Sequence, residues 1–126
     1  MNLEKYKKHF VNVNLTIIDA LNLLNKLPDN CILFVVNKKQ ELIGTITDGD
    51  IRRALINGSK LDENIENAYQ QNPKYVYKNN IDFSYLLKLK KNRIKLIPIT
   101  NNKKQIIDLI DFNICETYLP LDVVMM

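Results

Sequence analysis

The residues with the most chemical promise lie together: Gly44, Thr47, Gly49, Asp50, Arg52 and Arg53 fall within one short stretch. Thr47 and Asp50 put polar side chains where the chain turns from a strand into a helix, and a helix start exposes backbone N–H groups that favour an anion. Gly44 and Gly49, lacking side chains, let a flat or charged ligand approach the backbone closely. Arg52 and Arg53 carry forked donors suited to a phosphate; a solvated helix face is the competing role, and the spacing does not choose between the two. Thr47-x-x-Asp50 is also the spacing of a capping box, which stabilises a helix start by about 1 kcal/mol. That simpler role accounts for the stretch as long as its chemistry is considered by itself.

The surrounding elements define the corner. Residues 42–47 alternate, with Ile43, Thr45 and Thr47 expected on one strand face and Leu42, Gly44 and Ile46 on the other. Ile51, Ala54 and Leu55 then follow helical spacing, so a helix is expected to begin within 47–50 and to stop at Asn57-Gly58. Upstream, residues 1–10 form an amphipathic lead-in with Leu3, Tyr6 and Phe10; 11–14 fit a short strand, and Thr16-x-x-Asp19 opens a helix stopped by Pro28-Asp29-Asn30. Residues 31–36 are apolar and rich in β-branched types, as a central buried strand requires. Downstream, Asp62 is expected to cap a short helix reaching Tyr69, which Asn72-Pro73 ends.

The order then repeats as a strand at 75–77, a helix at 81–91 and strands at 95–100 and 106–110. Asn37-Lys38-Lys39-Gln40 recurs as Asn102-Lys103-Lys104-Gln105. A period of roughly 65 residues in two copies fits paired units burying a shared face better than a solenoid. Aligned through these turns with one residue dropped from the second copy, Gly44, Thr47 and Asp50 become Asp108, Asp111 and Ile114.

The run Gly44-Thr45-Ile46-Thr47-Asp48-Gly49-Asp50-Ile51-Arg52-Arg53 resembles the Gly-h-x-Thr-x-x-Asp signature of the CBS domain, and the resemblance extends over nearly all of 11–115. It implies an α/β fold of tandem CBS motifs, two β-α-β-β-α units packed sheet to sheet about a pseudo-twofold axis, with helices on the outer side of each sheet. The expected divisions are a lead-in at 1–10, the first motif at 11–72, the second at 73–118 and a linker with the start of a further domain at 119–126. The resemblance further implies that Thr47 and Asp50 hold the ribose of an adenine nucleotide, with AMP, ADP and ATP as candidates. Gly44, Arg52 and Arg53 complete the expected site, and the strand at 94–100 is the candidate for holding the base. The second copy, with Asp111 and Ile114, lacks both hydroxyl contacts, so one competent site is expected in each chain.

The Thr-Asp-Gly-Asp-Ile-Arg-Arg form of 47–53 resembles CBS pairs attached to sugar-phosphate isomerases and sugar-nucleotide-synthesising enzymes. The closing run Val123-Val124-Met125-Met126 resembles the first strand of sugar-1-phosphate nucleotidyltransferases. Together they imply a regulatory module, itself not an enzyme, N-terminal to a nucleotidyltransferase domain and working as a homodimer. A structural dimerisation module that binds no nucleotide is the rival.

Composition sets the outer bounds. Hydrophobic content of 46% and charged content of 25%, with 3 Gly and 4 Pro, fit a folded domain rather than a linker. No apolar run approaches the ~18 residues of a membrane span, and the start lacks a signal-peptide core, so a cytoplasmic protein with no membrane partner is expected. Cys31 and Cys115 have no Cys-x-x-Cys spacing and just His9 as a companion; both are expected as buried, reduced thiols without a metal, and His9 as a surface or packing residue. The net charge of +4 raises nucleic acid as a partner, but the lysines are dispersed. Their densest group, Lys88, Lys90, Lys91, Arg93 and Lys95, follows a helix end whose dipole it complements, so no nucleic-acid partner is expected. No nucleophile with a base and no marked carboxylate pair stands out, which argues against catalysis.

Overall fold

A computed structural model describes residues 3–27, 31–92 and 94–112. Strands β1 (Phe10–Asn12), β2 (Leu33–Val36) and β3 (Leu42–Ile46) form a sheet in that order, β1 parallel and β3 antiparallel to β2. Strands β4 (Val76–Tyr77), β5 (Leu96–Thr100) and β6 (Ile106–Asp111) repeat both the order and the directions. Helices α1 (Ile17–Asn25), α2 (Asp48–Ile56) and α3 (Phe83–Lys91) cover the outer faces. Each start is fixed by a polar side chain: Thr16 and Thr47 close capping boxes, and the Asp82 carboxylate accepts from the N–H groups of Ser84 and Tyr85. Gly58, at φ 103°, follows α2 as the left-handed residue expected there. The expected stop at Pro28-Asp29-Asn30, Arg93, Cys115, the expected strand at 123–126 and the helix expected after β6 lie outside the described residues.

Three clusters divide the interior. Ile17, Ala20 and Leu24 of α1 and Ile51 and Ala54 of α2 pack on Leu33, Val35 and Ile46. Leu86 and Leu89 of α3 pack on Val76 and Ile97. Between the sheets, Phe34 and Leu42 meet Leu96 and Leu109, with Tyr6 alongside. This is the expected α/β arrangement of tandem units packed sheet to sheet. Leu55 departs from its expected place on the buried face of α2; it is 37% exposed, and the buried stripe is narrowed to Ile51 and Ala54.

The strict alternation expected of β3 is also broken. Val35 pairs with Gly44, yet Val36 pairs with Leu42, so Ile43 is the extra residue of a β-bulge. Leu42 therefore faces the other sheet while Ile43 and Ile46 pack on the helix side. The second unit shifts at the equivalent step, between Ile99 and Thr100.

The turns correct the alignment of the repeat. Asn37 Oδ1 accepts from the N–H groups of Lys39 and Glu41 at 2.9 and 3.0 Å, and its amide donates to the Glu41 carboxylate. Asn101 does the same with Lys103 and Gln105, at 2.9 and 3.0 Å. Asn101, rather than Asn102, is the counterpart of Asn37, and no residue is dropped. The turn needs an Asn at its first position and tolerance of positive φ at its fourth, where Gln40 and Lys104 lie at 65° and 62°. The exposed residues between are interchangeable, which is why matching letters mislead.

Asp62 does not begin a helix. Asn64 caps a single 3₁₀ turn at Ile65–Asn67, accepting from the Glu66 N–H at 2.7 Å. The lead-in is a 3₁₀ helix over Leu3–His9. His9 is 5% exposed, and its Nδ1 lies 2.9 Å from the Ile32 carbonyl, which can only accept, so Nδ1 carries the proton. Cys31 is a free thiol, half-buried rather than fully buried as expected. Burial pushes it above its ordinary pKa, opposed mainly by the charge of Lys95.

Candidate functional site

Thr47 ends β3 in extended backbone, φ −122° and ψ 170°, and Asp50 occupies the third position of α2. The Thr47 hydroxyl accepts from the Asp50 N–H at 3.3 Å and donates to Asp50 Oδ2 at 3.1 Å; Oδ2 also accepts from the Thr47 N–H at 2.9 Å. The capping box is therefore complete. Asp50 Oδ1 accepts from Arg53 Nη2 at 2.5 Å, on a guanidinium whose side chain is 64% exposed while that of Asp50 is 5% exposed. A carboxylate has about four lone-pair sites and a hydroxyl two. Two sites on Oδ2 and one on Oδ1 are taken, as is one on Thr47 Oγ1. One acceptor site remains on Asp50 Oδ1 and one on Thr47 Oγ1.

Beside this pair opens a cleft of about 320 Å³, near the low end of the roughly 300–1,000 Å³ usual for small-molecule sites. Both units wall it. Ile32 and Phe34 contribute from β2 and its approach, and Ile94, Leu96 and Ile97 from the second unit. Thr45, Thr47, Asp50, Gln70, Asn72 and Lys74 supply the polar edge. Apolar surface from two sheets with polar groups along one side suits a flat ring joined to a hydroxylated, charged tail.

Of the residues singled out from the sequence, Thr47, Asp50 and Arg53 are brought together. Arg52 is exposed and takes no part in the Asp50 pairing. Gly49 lies beside Arg53, whose Nη1 would stand at an ordinary contact distance of 3.5 Å from a Cβ at that position, so space alone does not require glycine there. Gly44 has a different role from the ligand approach expected of it. Thr45 and Gln70 exchange backbone hydrogen bonds at 2.8 and 3.2 Å, laying the crossover segment on β3. A Cβ on Gly44 would overlap the Tyr69 ring and stand 2.7 Å from the Gln70 carbonyl oxygen. The glycine thus positions the wall that carries Gln70, Asn72 and Lys74.

That wall escaped the reading of the sequence, where Asn72-Pro73 served as a stop signal. The repeat held the missing cue: this segment precedes β4 as the lead-in precedes β1, and so must run along the sheet-to-sheet seam. Phe34, the aromatic in an otherwise aliphatic strand, was a second cue.

Residues 7–57 match the family model of the CBS domain. The chain superposes on the CBS domain protein PAE2072 from Pyrobaculum aerophilum, solved with AMP, at a TM-score of 0.69 and 13% identity, covering 93% of this chain and 91% of that one. It also superposes on the CBS domain pair of protein MJ0100, solved with 5-methylthioadenosine and S-adenosyl-L-methionine, at a TM-score of 0.64 and 20% identity, covering 93% and 90%. This chain folds as a CBS domain pair. An uncharacterized protein of Chlamydia muridarum is 30% identical over 102 residues, 76% of this chain; the CBS pair spans 30% of that relative's length. In the pair, Asp108 occupies the place of Gly44 opposite Ile99, and Asp111 that of Thr47; Asn113 and Ile114 lie outside the described residues. Among the described residues no group of His, Cys, Asp and Glu could hold a metal ion, and no helix is long and apolar enough to cross a membrane.

Proposed function

We propose that this CBS pair is a regulatory module that binds an adenine nucleotide in the cleft beside Thr47 and Asp50. The observation that carries the reading is that Asp50 and Thr47, with unused acceptor sites on Oδ1 and Oγ1 respectively, both line an apolar cleft walled by both units. A ribose diol supplies two neighbouring donors, so each hydroxyl meets one acceptor. The base lies against Phe34 and Leu96, and the phosphate lies toward the N-terminus of α2. Nucleotide binding then regulates by favouring one arrangement of the two units over another.

The finer context is part of the same proposal. The Thr47–Arg53 form supports attachment to a sugar-1-phosphate nucleotidyltransferase in the cytoplasm, which the CBS pair regulates without catalysing anything itself. Exposed Ile56, Phe83 and Leu87 support a homodimer joined through helices. One observation favours the structural rival: both Asp50 oxygens already have partners within the chain. Titration calorimetry with AMP, ADP and ATP separates the two. Binding that Asp50→Ala weakens supports the nucleotide site; no heat with any of the three supports the rival.

A further inference from the structure

Thr45 lines the cleft but has no part in holding the ribose. Its backbone N–H and carbonyl bond to Gln70 at 3.2 and 2.8 Å, so they point away from β2, and Thr45 meets Phe34 as a non-hydrogen-bonded pair, the kind that brings side chains closest. Both side chains therefore face the second unit. Thr45 is only 7% exposed, yet its hydroxyl has no hydrogen-bond partner among the described residues. Among those residues the unpartnered polar side-chain atom sealed from solvent is Thr100 Oγ1; the Thr45 hydroxyl keeps an opening, and the space it lines is the cleft. The backbone frame does not ask for a hydroxyl here, since the related place in the second unit holds Leu109. Burying an unpaired hydroxyl costs stability, so a strand that had only to pack would do better with an apolar residue.

Provided that the cleft is a nucleotide site, we infer that Thr45 is a specificity-determining residue whose hydroxyl hydrogen-bonds the polar edge of the base that lies against Phe34. The hydroxyl proton rotates, so the group donates to a ring nitrogen or accepts from an amino group. The β-branched side chain has few χ1 positions open to it in a strand, which holds the oxygen in place before the ligand arrives. A base with a polar edge satisfies the hydroxyl. An apolar ring of the same shape leaves it buried without a partner and is rejected.

The test is calorimetry of wild type, Thr45→Val and Thr45→Ser with AMP, adenosine, 2′-deoxy-AMP and 3′-deoxy-AMP. Thr45→Val keeps the branched shape and removes only the hydroxyl; because that hydroxyl has no partner in the free chain, the urea midpoint should not fall. Each ligand is expected to bind Thr45→Val about fivefold more weakly than wild type, the size of one neutral hydrogen bond. The factor is the same for all four because the base is what they share. Thr45→Ser restores the hydroxyl and should bind AMP within about twofold of wild type. Wild-type affinity in Thr45→Val, or a loss that disappears when the ligand lacks the phosphate or one ribose hydroxyl, would overturn the base contact while leaving the nucleotide site standing. A lower urea midpoint with unchanged affinity would make the hydroxyl a structural group and overturn it as well. No binding of AMP to wild type or to either variant would overturn the site and the contact together.

Discussion

At the edge of the first unit the segment that carries Gln70 rests on β3 and walls a cleft edged by Thr45, Thr47 and Lys74. At the related place in the second unit Leu109 replaces Thr45 and Asp111 replaces Thr47, and the 3₁₀ helix of the lead-in closes over them. Tyr6 packs with Leu109 and Leu96, and its hydroxyl donates to Asp111 Oδ2 at 2.9 Å. His9 is buried beside it, with ring centroids 5.9 Å apart. One backbone frame has thus produced a ligand-sized opening on one side and a packed interior on the other. The difference lies in a few side chains: small and hydroxylated against an amide-bearing loop in one unit, aliphatic and acidic against an aromatic in the other.

The sharpest way to break this contrast is at Gly44, where the wall of the cleft rests directly on β3. Gly44→Ala forces the Gln70 backbone aside and is expected to cost about 3 kcal/mol, the upper range for overpacking. Urea denaturation measures the loss. Asp108→Ala, at the related position, shortens a half-buried side chain and introduces no overlap, so it should cost less than Gly44→Ala. Comparable losses at the two positions would show that the units are walled alike.

Asp50 and Asp111 should separate binding from folding. Asp50→Ala is expected to weaken AMP at least about tenfold, since a charge-assisted hydrogen bond contributes about 1.5–3 kcal/mol, with a further cap-sized stability loss of about 1 kcal/mol. Asp111→Ala should leave AMP affinity unchanged in the same titration. Tyr6→Phe then removes one hydrogen bond to a carboxylate, lowering stability by about 1.5 kcal/mol with no effect on nucleotide affinity. A rise in ligand stoichiometry to two for Tyr6→Phe would mean that the lead-in masks a second competent site.

The smallest effect is at Cys31. Burial raises the Cys31 pKa, so its neutral thiol is favoured in the folded chain and contributes stability below the ordinary thiol value of about 8.5. That contribution is lost as pH rises through the folded value. In a Cys115→Ser background, iodoacetamide should react more slowly with the folded chain at pH 8 than with the urea-unfolded chain. Equal rates would place Cys31 in free solvent.

Much of this frame was legible because its signals are local. Capping boxes at Thr16 and Thr47, the apolar run of β2 and the glycine stop at Gly58 each depend on a few adjacent residues. The hidden features depend on distant partners. The bulge at Ile43 comes from pairing with β2, and the true role of Gly44 comes from Tyr69, which no spacing rule links to it. Thr47 and Asp50 were legible as neighbours, but their spare acceptors become countable only once Arg53 is seen on Oδ1. Arg52 and Arg53 are identical as letters; the helical register separates them.

The two Asn turns have a mechanical consequence. Gln105 Nε2 donates to the Lys39 carbonyl at 2.8 Å, and the Leu42 N–H to that of Lys104 at 2.8 Å, so the sheets are fastened where β3 begins and β5 ends. The cleft lies at the opposite ends of those strands. Five residues at about 3.3 Å each put it roughly 16 Å from the fastening. The pair is built like tongs riveted at the far end, and a slight rotation at the rivet becomes a wider displacement at the mouth. A ligand gripping both jaws there works with the longest available lever arm.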